Sequence, residues 1–176
     1  MLRQIGVEPD LTEPASLDET PQPREIPRQL ARRLAAAKVV AVSARHTDAH
    51  VLAADTVVAL GRRILPKAAD EAEVRRCVEL LSGRAHRVIT AVAAVAPNGR
   101  EAARVVETRV RFKRLSDREL AAYAACGEGV GKAGGYAIQG RAGALVMSLQ
   151  GSFSAVVGLP LYETANLLTG LGYRLP

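Results

Sequence analysis

The spacing of apolar residues in the first half of the chain changes from helical to continuous. Four apolar residues recur at helical spacing: Leu30, Leu34, Ala37 and Ala41. They predict a helix that has Lys38 near the edge of its buried stripe. The following run, HVLAADTVVAL, is almost wholly apolar, which is typical of a buried strand, and Gly61-Arg62 then favours a hairpin turn. The acidic, proline-interrupted segment 7–27 is expected to be extended or looped.

Two capping signals and three further apolar patterns organise the second half of the chain. Asp70 with Glu73, and Ser116 with Glu119, have the spacing of boxes that start helices. Strands are predicted in HRVITAVAAVA, in the alternating segment 106–113 and in ALVMSL, and a last helix in LPLYETANLLTGLG. Because helices and strands are interleaved while hairpins are also present, we expect an α/β fold with a mixed sheet.

A glycine-rich loop, CGEGVGKAGGYAIQG at 126–140, raises the question of whether it binds phosphate. Three of its glycines match G-x-G-x-x-G, but that pattern binds dinucleotides only between a strand and a helix. Here a helix is predicted before the loop and a short strand at 136–138, so the required order is not met. A Walker-type loop fails as well, because Ala133 follows Lys132 where a Ser or Thr is needed.

Length and composition are those of a globular protein with room for a cleft. The chain has 176 residues, of which 48% are hydrophobic and 24% charged, and these fractions exclude wholesale disorder. No apolar run has membrane-spanning length, and MLRQIGVEPD lacks the apolar core of a signal peptide, so we expect a cytoplasmic protein without membrane contact. Cys77 and Cys126 are far apart, which indicates neither a disulfide framework nor a thiolate metal site.

The net charge of +6 favours a polyanionic partner, which could be nucleic acid, phospholipid or a nucleotide. Only 3% of the residues are aromatic and none is tryptophan, which weakens an interpretation based on bases stacking along an exposed sheet. The arginines form no single run, so many of them are expected to be a solvated surface. A nucleic-acid partner is therefore not favoured.

Asp55 is the most informative single position, because it is a carboxylate inside an apolar run. Its burial without a partner would cost several kcal/mol, so something must compensate its charge. The alternatives are a structural hydrogen bond or salt bridge, or a role with a metal ion or a catalytic water. Lys38, Lys67 and the Asp18-Glu19 pair are candidate neighbours.

Carboxylates combined with lysines fit magnesium-assisted phosphate chemistry better than zinc chemistry. The three histidines, His46, His50 and His86, lack the spacing of metal ligands. Ser152 and Ser154 have no evident histidine partner for a hydrolase triad.

Seven segments that follow one another along nearly the whole chain resemble the Maf-like nucleoside triphosphate pyrophosphatases. They are LDET at 17–20, LAAAK ending at Lys38, AADTVV at 53–58, ILPK ending at Lys67, LLSGRAHRVITAV at 80–92, GKAGGYAIQG at 131–140 and GSFSAVVGLPLYE at 151–163. Each segment is weak alone, and their common order makes the resemblance specific.

The resemblance implies one domain over residues 1–176, with an α/β fold related to the inosine triphosphate pyrophosphatases. In that fold an elongated mixed sheet with flanking helices forms two lobes around a cleft. The implied reaction is hydrolysis of a nucleoside triphosphate to the monophosphate and pyrophosphate with a divalent cation, Mg²⁺ or Mn²⁺. A homodimer is also implied.

The roles of individual residues follow from the same resemblance. Asp55 would be the carboxylate that activates water, and Glu19 would help it to hold the metal. Lys38 and Lys67 would neutralise the triphosphate. The glycine-rich loop would form a close turn beside the nucleotide, without being a P-loop, and deliver Gln139 into the base pocket.

Thr56 and Gln139 together mark the branch of the family that acts on dTTP and UTP. A glutamine amide presents both a donor and an acceptor, which suits the edge of a pyrimidine. The alternative for Gln139 is a side chain at a strand end that satisfies backbone groups.

Three features depart from the family pattern. Family members open with a strand and a Ser-x-Ser-Pro-Arg-Arg loop that grips phosphates, whereas MLRQIGVEPD matches the helix that follows that loop. Pro66-Lys67-Ala68 replaces the usual Gly-Lys-Pro, and Ala155 stands where an asparagine is usual. If the loop is absent from the protein, a phosphate clamp is missing, and activity is then uncertain.

Two other functions compete with this prediction. The first is the related branch that prefers methylated guanosine triphosphate, which Thr56 and Gln139 argue against. The second is a non-catalytic protein that binds nucleotides or nucleic acid, for which salt-sensitive binding without hydrolysis would be evidence.

Overall fold

A five-stranded sheet forms the centre of the computed structural model, which describes residues 1–176. In chain order the strands are β1 (Val51–Leu60), β2 (Arg63–Leu65), β3 (Ala85–Val95), β4 (Glu101–Phe112) and β5 (Val146–Gln150). Their order across the sheet is β2-β1-β3-β4-β5. The predicted hairpin at Gly61-Arg62 joins β1 to β2, and the turn after β3 joins it to β4.

Five α-helices and two short 3₁₀ helices accompany the sheet. The α-helices are α1 (Pro27–Ser43), α2 (Glu71–Leu81), α3 (Asp117–Ala125), α4 (Phe153–Val157) and α5 (Leu161–Gly170), and the 3₁₀ helices are Leu2–Ile5 and Arg141–Leu145. Both predicted capping signals are present, since Asp70 accepts from the Glu73 amide and Ser116 from that of Glu119. No helix combines the length and the apolar character that crossing a membrane requires.

The α/β fold with flanking helices is confirmed, but the strand directions differ from the expected mixed sheet. All four strand pairs are antiparallel. The reason is the position of β1. The connection through α2 links β2 to β3, which run in the same direction but lie on either side of β1. No strand therefore has a parallel neighbour.

Helices cover both faces of the sheet, and a separate apolar core fills each side. Helix α1 packs on one face, where its buried residues meet alternate residues of β1 and β3: Leu30, Leu34, Val57, Ile89 and Ala91. Helices α2 and α3 border the other face, where Val58, Val88 and Phe112 point inward. Because residues of a strand alternate between faces, neighbouring residues of β1 belong to different cores.

Two segments lie outside the helices and strands. Residues 7–26 are irregular, as expected for the proline-interrupted segment. The short strand expected at 136–138 is wrong, since this segment has no ladder and the nearby loop forms only the isolated bridge between Lys67 and Ala133. Gly134 and Gly135 adopt positive φ angles immediately before it, and this conformation turns the chain away from an extended path.

Candidate active site

The candidate site lies at an edge of β1 that carries no strand partner. β3 pairs with β1 from Val51 to Ala59, whereas β2 pairs only with the last three residues, Val58 to Leu60. A cavity of about 220 Å³ borders the unpaired stretch at Ala54, Asp55 and Thr56. Asp55 and Thr56 point to opposite faces of the sheet, and both reach this cavity because it is open at the strand's edge.

Four residues predicted from the sequence form one chain of ion pairs. The Lys38 Nζ atom lies 2.6 Å from Asp55 Oδ1 and 2.5 Å from Glu19 Oε1. The other oxygen of Glu19 pairs with the Lys67 ammonium. Lys38 comes from α1, Glu19 from the irregular segment and Lys67 from the loop after β2. The structure thus brings together groups that are widely separated in the sequence.

Burial gives the three central groups of this chain different proton affinities. Burial raises the pKa of Asp55, which is 4% exposed, although Lys38 opposes the change. Burial also acts on Lys38 and Glu19, but their ion pairs outweigh it, so the pKa of Lys38 is raised and that of Glu19 is lowered. Asp55 is therefore the carboxylate with increased affinity for a proton, which is the property that a general base requires.

The donor set fits a hard divalent cation. Glu19 and Asp55 converge on the same ammonium, that of Lys38, so a cation is already favoured between them. The chain has no cluster of three or more histidine, cysteine or acidic residues of the kind that forms a complete metal cage. Mg²⁺ is commonly bound by one or two carboxylates together with substrate phosphates.

The glycine-rich loop forms the opposite wall of the cavity. Gly131, Lys132, Tyr136 and Gln139 line it, together with Val156 and Val157 of α4. No helix begins inside the loop, which excludes the dinucleotide and Walker patterns. The loop is also joined to the segment that carries Lys67, because the Gly131 amide donates to the Ala68 carbonyl at 2.7 Å.

Gln139 forms no hydrogen bond of its own in this structure, but contacts of neighbouring residues fix the backbone that carries it. The Ala137 amide donates to Tyr123 Oη at 3.1 Å, and the Arg141 amide donates to Glu128 Oε2 at 2.7 Å. The Tyr136 hydroxyl lies 2.8 Å from Nε2 of His86. The backbone is thus fixed on both sides of Gln139, whose exposed side chain borders the cavity.

A second polar contact fixes Thr56, the other residue predicted to select the base. Its Oγ1 lies 2.9 Å from Oγ1 of Thr90, which is fully buried on β3. Thr90 in turn donates to the carbonyl of Ala155 in α4 at 2.7 Å. Ala155, which departs from the family pattern, is also fully buried. These contacts connect β1, β3 and α4 beside the cavity.

Sequence analysis missed five residues that shape the site: His86, Thr90, Tyr123, Glu128 and Tyr136. Thr90 and Tyr123 occupy ordinary inward positions of a strand and a helix, so their pattern indicates only the core. The signal for the others was weak. Tyr136 and His86 belong to segments that carry the family resemblance, but nothing in their spacing shows that they touch.

Comparison with known proteins shows the family of the chain. A family model described as "Maf-like protein" matches residues 1–171. A protein of Caulobacter vibrioides named dTTP/UTP pyrophosphatase is 60% identical over 174 residues, covering 99% of this chain and 90% of that protein. Proteins of the same name from Maricaulis maris and Paramagnetospirillum magneticum are 63% and 61% identical over 173 residues, with 83% and 91% of their lengths covered. The chain therefore belongs to the Maf-like protein family.

Proposed function

We propose that this protein hydrolyses dTTP and UTP to the nucleoside monophosphate and pyrophosphate. The observation that carries the proposal is the buried Asp55, held by Lys38 at one end of a cavity whose other wall carries Gln139. The name shared by relatives that are 60% or more identical over nearly the whole chain supports the same substrates.

Substrate binding begins with an exchange of charges. In the free protein Lys38 and Lys67 are already paired with carboxylates. A triphosphate carries more negative charge than Glu19 and Asp55 together, so it draws both ammonium groups toward its oxygens. Once Lys38 has moved away, Asp55 loses the contact that lowers its pKa and becomes a stronger base.

Hydrolysis adds water across the bond between the α- and β-phosphates. Asp55 accepts a proton from the attacking water, the phosphoanhydride bond breaks, and pyrophosphate leaves with the electron pair. Lys38 and Lys67 stabilise the charge that builds up on the phosphate oxygens. Glu19 and Asp55 would hold a Mg²⁺ or Mn²⁺ ion, which would supply further charge neutralisation when bound.

At the other end of the cavity, Gln139 and Thr56 contact the base. The Gln139 amide offers a donor and an acceptor to the polar edge of uracil or thymine. The pyrimidine ring lies among apolar side chains, of which Val156 and Val157 line the cavity.

A product assay tests the proposal. The protein is incubated with dTTP, UTP and GTP in turn, with Mg²⁺ or Mn²⁺, and the products are separated by anion exchange. We expect monophosphate and pyrophosphate from the two pyrimidine nucleotides and much less from GTP. Absence of turnover together with salt-sensitive binding of DNA or RNA would contradict the proposal and favour the binding-protein alternative.

We also propose a homodimer that works in the cytoplasm. Three exposed large apolar side chains, Met147, Phe153 and Tyr162, belong to the consecutive elements β5, α4 and α5 and could contribute to a subunit interface. Both cysteines are free thiols, as suits a reducing compartment. Light scattering during size-exclusion chromatography tests the dimer, and a mass of 18.7 kDa, that of one chain, would contradict it.

A further inference from the structure

In the ligand-free protein, the hydroxyl proton of Thr56 is already used in a hydrogen bond. Thr90 has a single hydroxyl proton, and it is donated to the Ala155 carbonyl, which can only accept. The contact of 2.9 Å between the two threonine oxygens must therefore use the proton of Thr56. The only groups that Thr56 Oγ1 can still present to the cavity are lone pairs.

We propose that Thr90 makes Thr56 an acceptor-only group and thereby selects bases that carry a proton on N3. The inference rests on the proposed function and names the feature by which the base is chosen. Uracil and thymine have an N3–H donor that can bond to Thr56 Oγ1. Cytosine has a bare lone pair on N3, which would face the lone pairs of Thr56 and leave both without a partner.

Gln139 alone cannot supply this discrimination. Its amide can rotate to exchange donor and acceptor, and nothing in the structure fixes its orientation, since it forms no hydrogen bond. Thr56 has no such freedom while Thr90 is bonded to Ala155. Thr90 is fully buried and does not line the cavity, so it is a positioning residue that acts through Thr56.

Replacing Thr90 by valine tests the inference, because valine keeps the shape of the side chain and removes the hydroxyl. Without Thr90 Oγ1, the Thr56 hydroxyl can rotate and donate to cytosine N3. We expect kcat/KM for CTP to rise while that for UTP falls slightly, so that the UTP-to-CTP ratio decreases by about tenfold or more. Thr90→Ser keeps a hydroxyl and should restore most of the ratio.

Thr108→Val is the matched control. Thr108 is also fully buried on the same face of the sheet, and its hydroxyl also bonds to the segment that begins α4, at the Ser152 carbonyl and amide. It does not contact Thr56. A merely structural effect would lower the stability of both valine variants and the turnover of both nucleotides alike, whereas only Thr90→Val should change the ratio.

The outcomes separate this inference from the proposed function. Failure of the wild-type protein to hydrolyse UTP would contradict the function and the inference together. If the wild type hydrolyses UTP, an unchanged ratio in Thr90→Val would overturn the inference alone. Wild-type turnover of CTP, or of UTP methylated at N3, at the rate of UTP would also overturn it, and that comparison needs no variant to fold.

Discussion

The two ends of the cavity are built from opposite kinds of group. At the phosphate end, Glu19, Lys38, Asp55 and Lys67 are charged and paired with one another. At the base end, neutral groups hold the walls: the Thr56–Thr90 contact and the hydroxyls of Tyr123 and Tyr136. Under the proposed function, the charged pairs exchange partners when a triphosphate enters, whereas the neutral contacts stay in place. We infer that the first end performs the reaction and the second chooses the substrate.

Among the tests that compare the two ends, the largest effect is expected from removing the Lys38 ammonium at the phosphate end. Lys38→Met should lower kcat/KM for UTP by about 10²- to 10³-fold, since a charge that stabilises the transition state is lost. The acid limb of the pH profile of kcat/KM, which reports the free protein, should also move to higher pH, because Lys38 lowers the pKa of Asp55 and only Lys67 then still opposes desolvation.

Steady-state kinetics over a range of pH measure both effects. Arg76→Met is a suitable control, since Arg76 is exposed on α2 and does not line the cavity. A Lys38→Met variant that keeps its turnover and the wild-type acid limb would show that the ion pair with Asp55 has no part in the reaction.

The next expected effect is a loss of stability at acid pH, caused by His86 at the base end. Burial lowers the pKa of His86 from its ordinary 6.5 to about 4. A histidine with a depressed pKa in the folded state contributes stability above its unfolded pKa, and that stability is lost as the pH falls from about 6.5 to about 4. The free energy of unfolding should decrease over this window by up to about 3 kcal/mol.

Denaturant unfolding at several pH values measures this loss. His86→Gln should make the free energy of unfolding less dependent on pH. His50→Gln, which removes a histidine at the other end of the fold, should not change that pH dependence. An unchanged slope in His86→Gln would show that another group causes the acid sensitivity. The ion pairs at the phosphate end should lose their contribution to the free energy of unfolding only at lower pH, because the pKa of Glu19 is below its ordinary value.

A smaller loss of stability should follow from a substitution in the glycine-rich loop. Gly134 has φ +67°, and a Cβ atom there would lie 2.7 Å from Cγ1 of Val58 on β1. Gly134→Ala should therefore lower the free energy of unfolding by about 2 kcal/mol. In Gly99→Ala the φ is also positive but nothing lies within 4 Å, so thermal unfolding should show a smaller loss there. Equal losses would contradict the close approach.

The sequence predicts the phosphate end much better than the base end. Asp55 stands out because a carboxylate is rare inside an apolar run, and Lys38 because it lies at the edge of a buried helical stripe. Both signals are local. That these residues come together in space does not follow from local patterns. It was predicted from the family resemblance, and the structure gives the distances.

Apart from Thr56 and Gln139, which the family resemblance indicated, the base end could not be predicted, because its other residues look like ordinary core. The partners of the Thr56–Thr90 contact are 34 residues apart, and His86 and Tyr136 are 50 apart. Their contact depends on strand register and on a turn of several glycines, neither of which follows from periodicity. The mixed sheet was expected for a similar reason, since helix and strand order does not reveal that β1 lies between β2 and β3.

The most direct test of the central claim, that Asp55 is the base of a pyrophosphatase, is the turnover of UTP by Asp55→Asn. The amide keeps the size of the side chain but cannot take up the proton of the attacking water. We expect the release of pyrophosphate, followed by anion exchange, to fall by about 10²- to 10⁴-fold while the unfolding transition is retained. A folded Asp55→Asn variant with wild-type turnover would contradict the account.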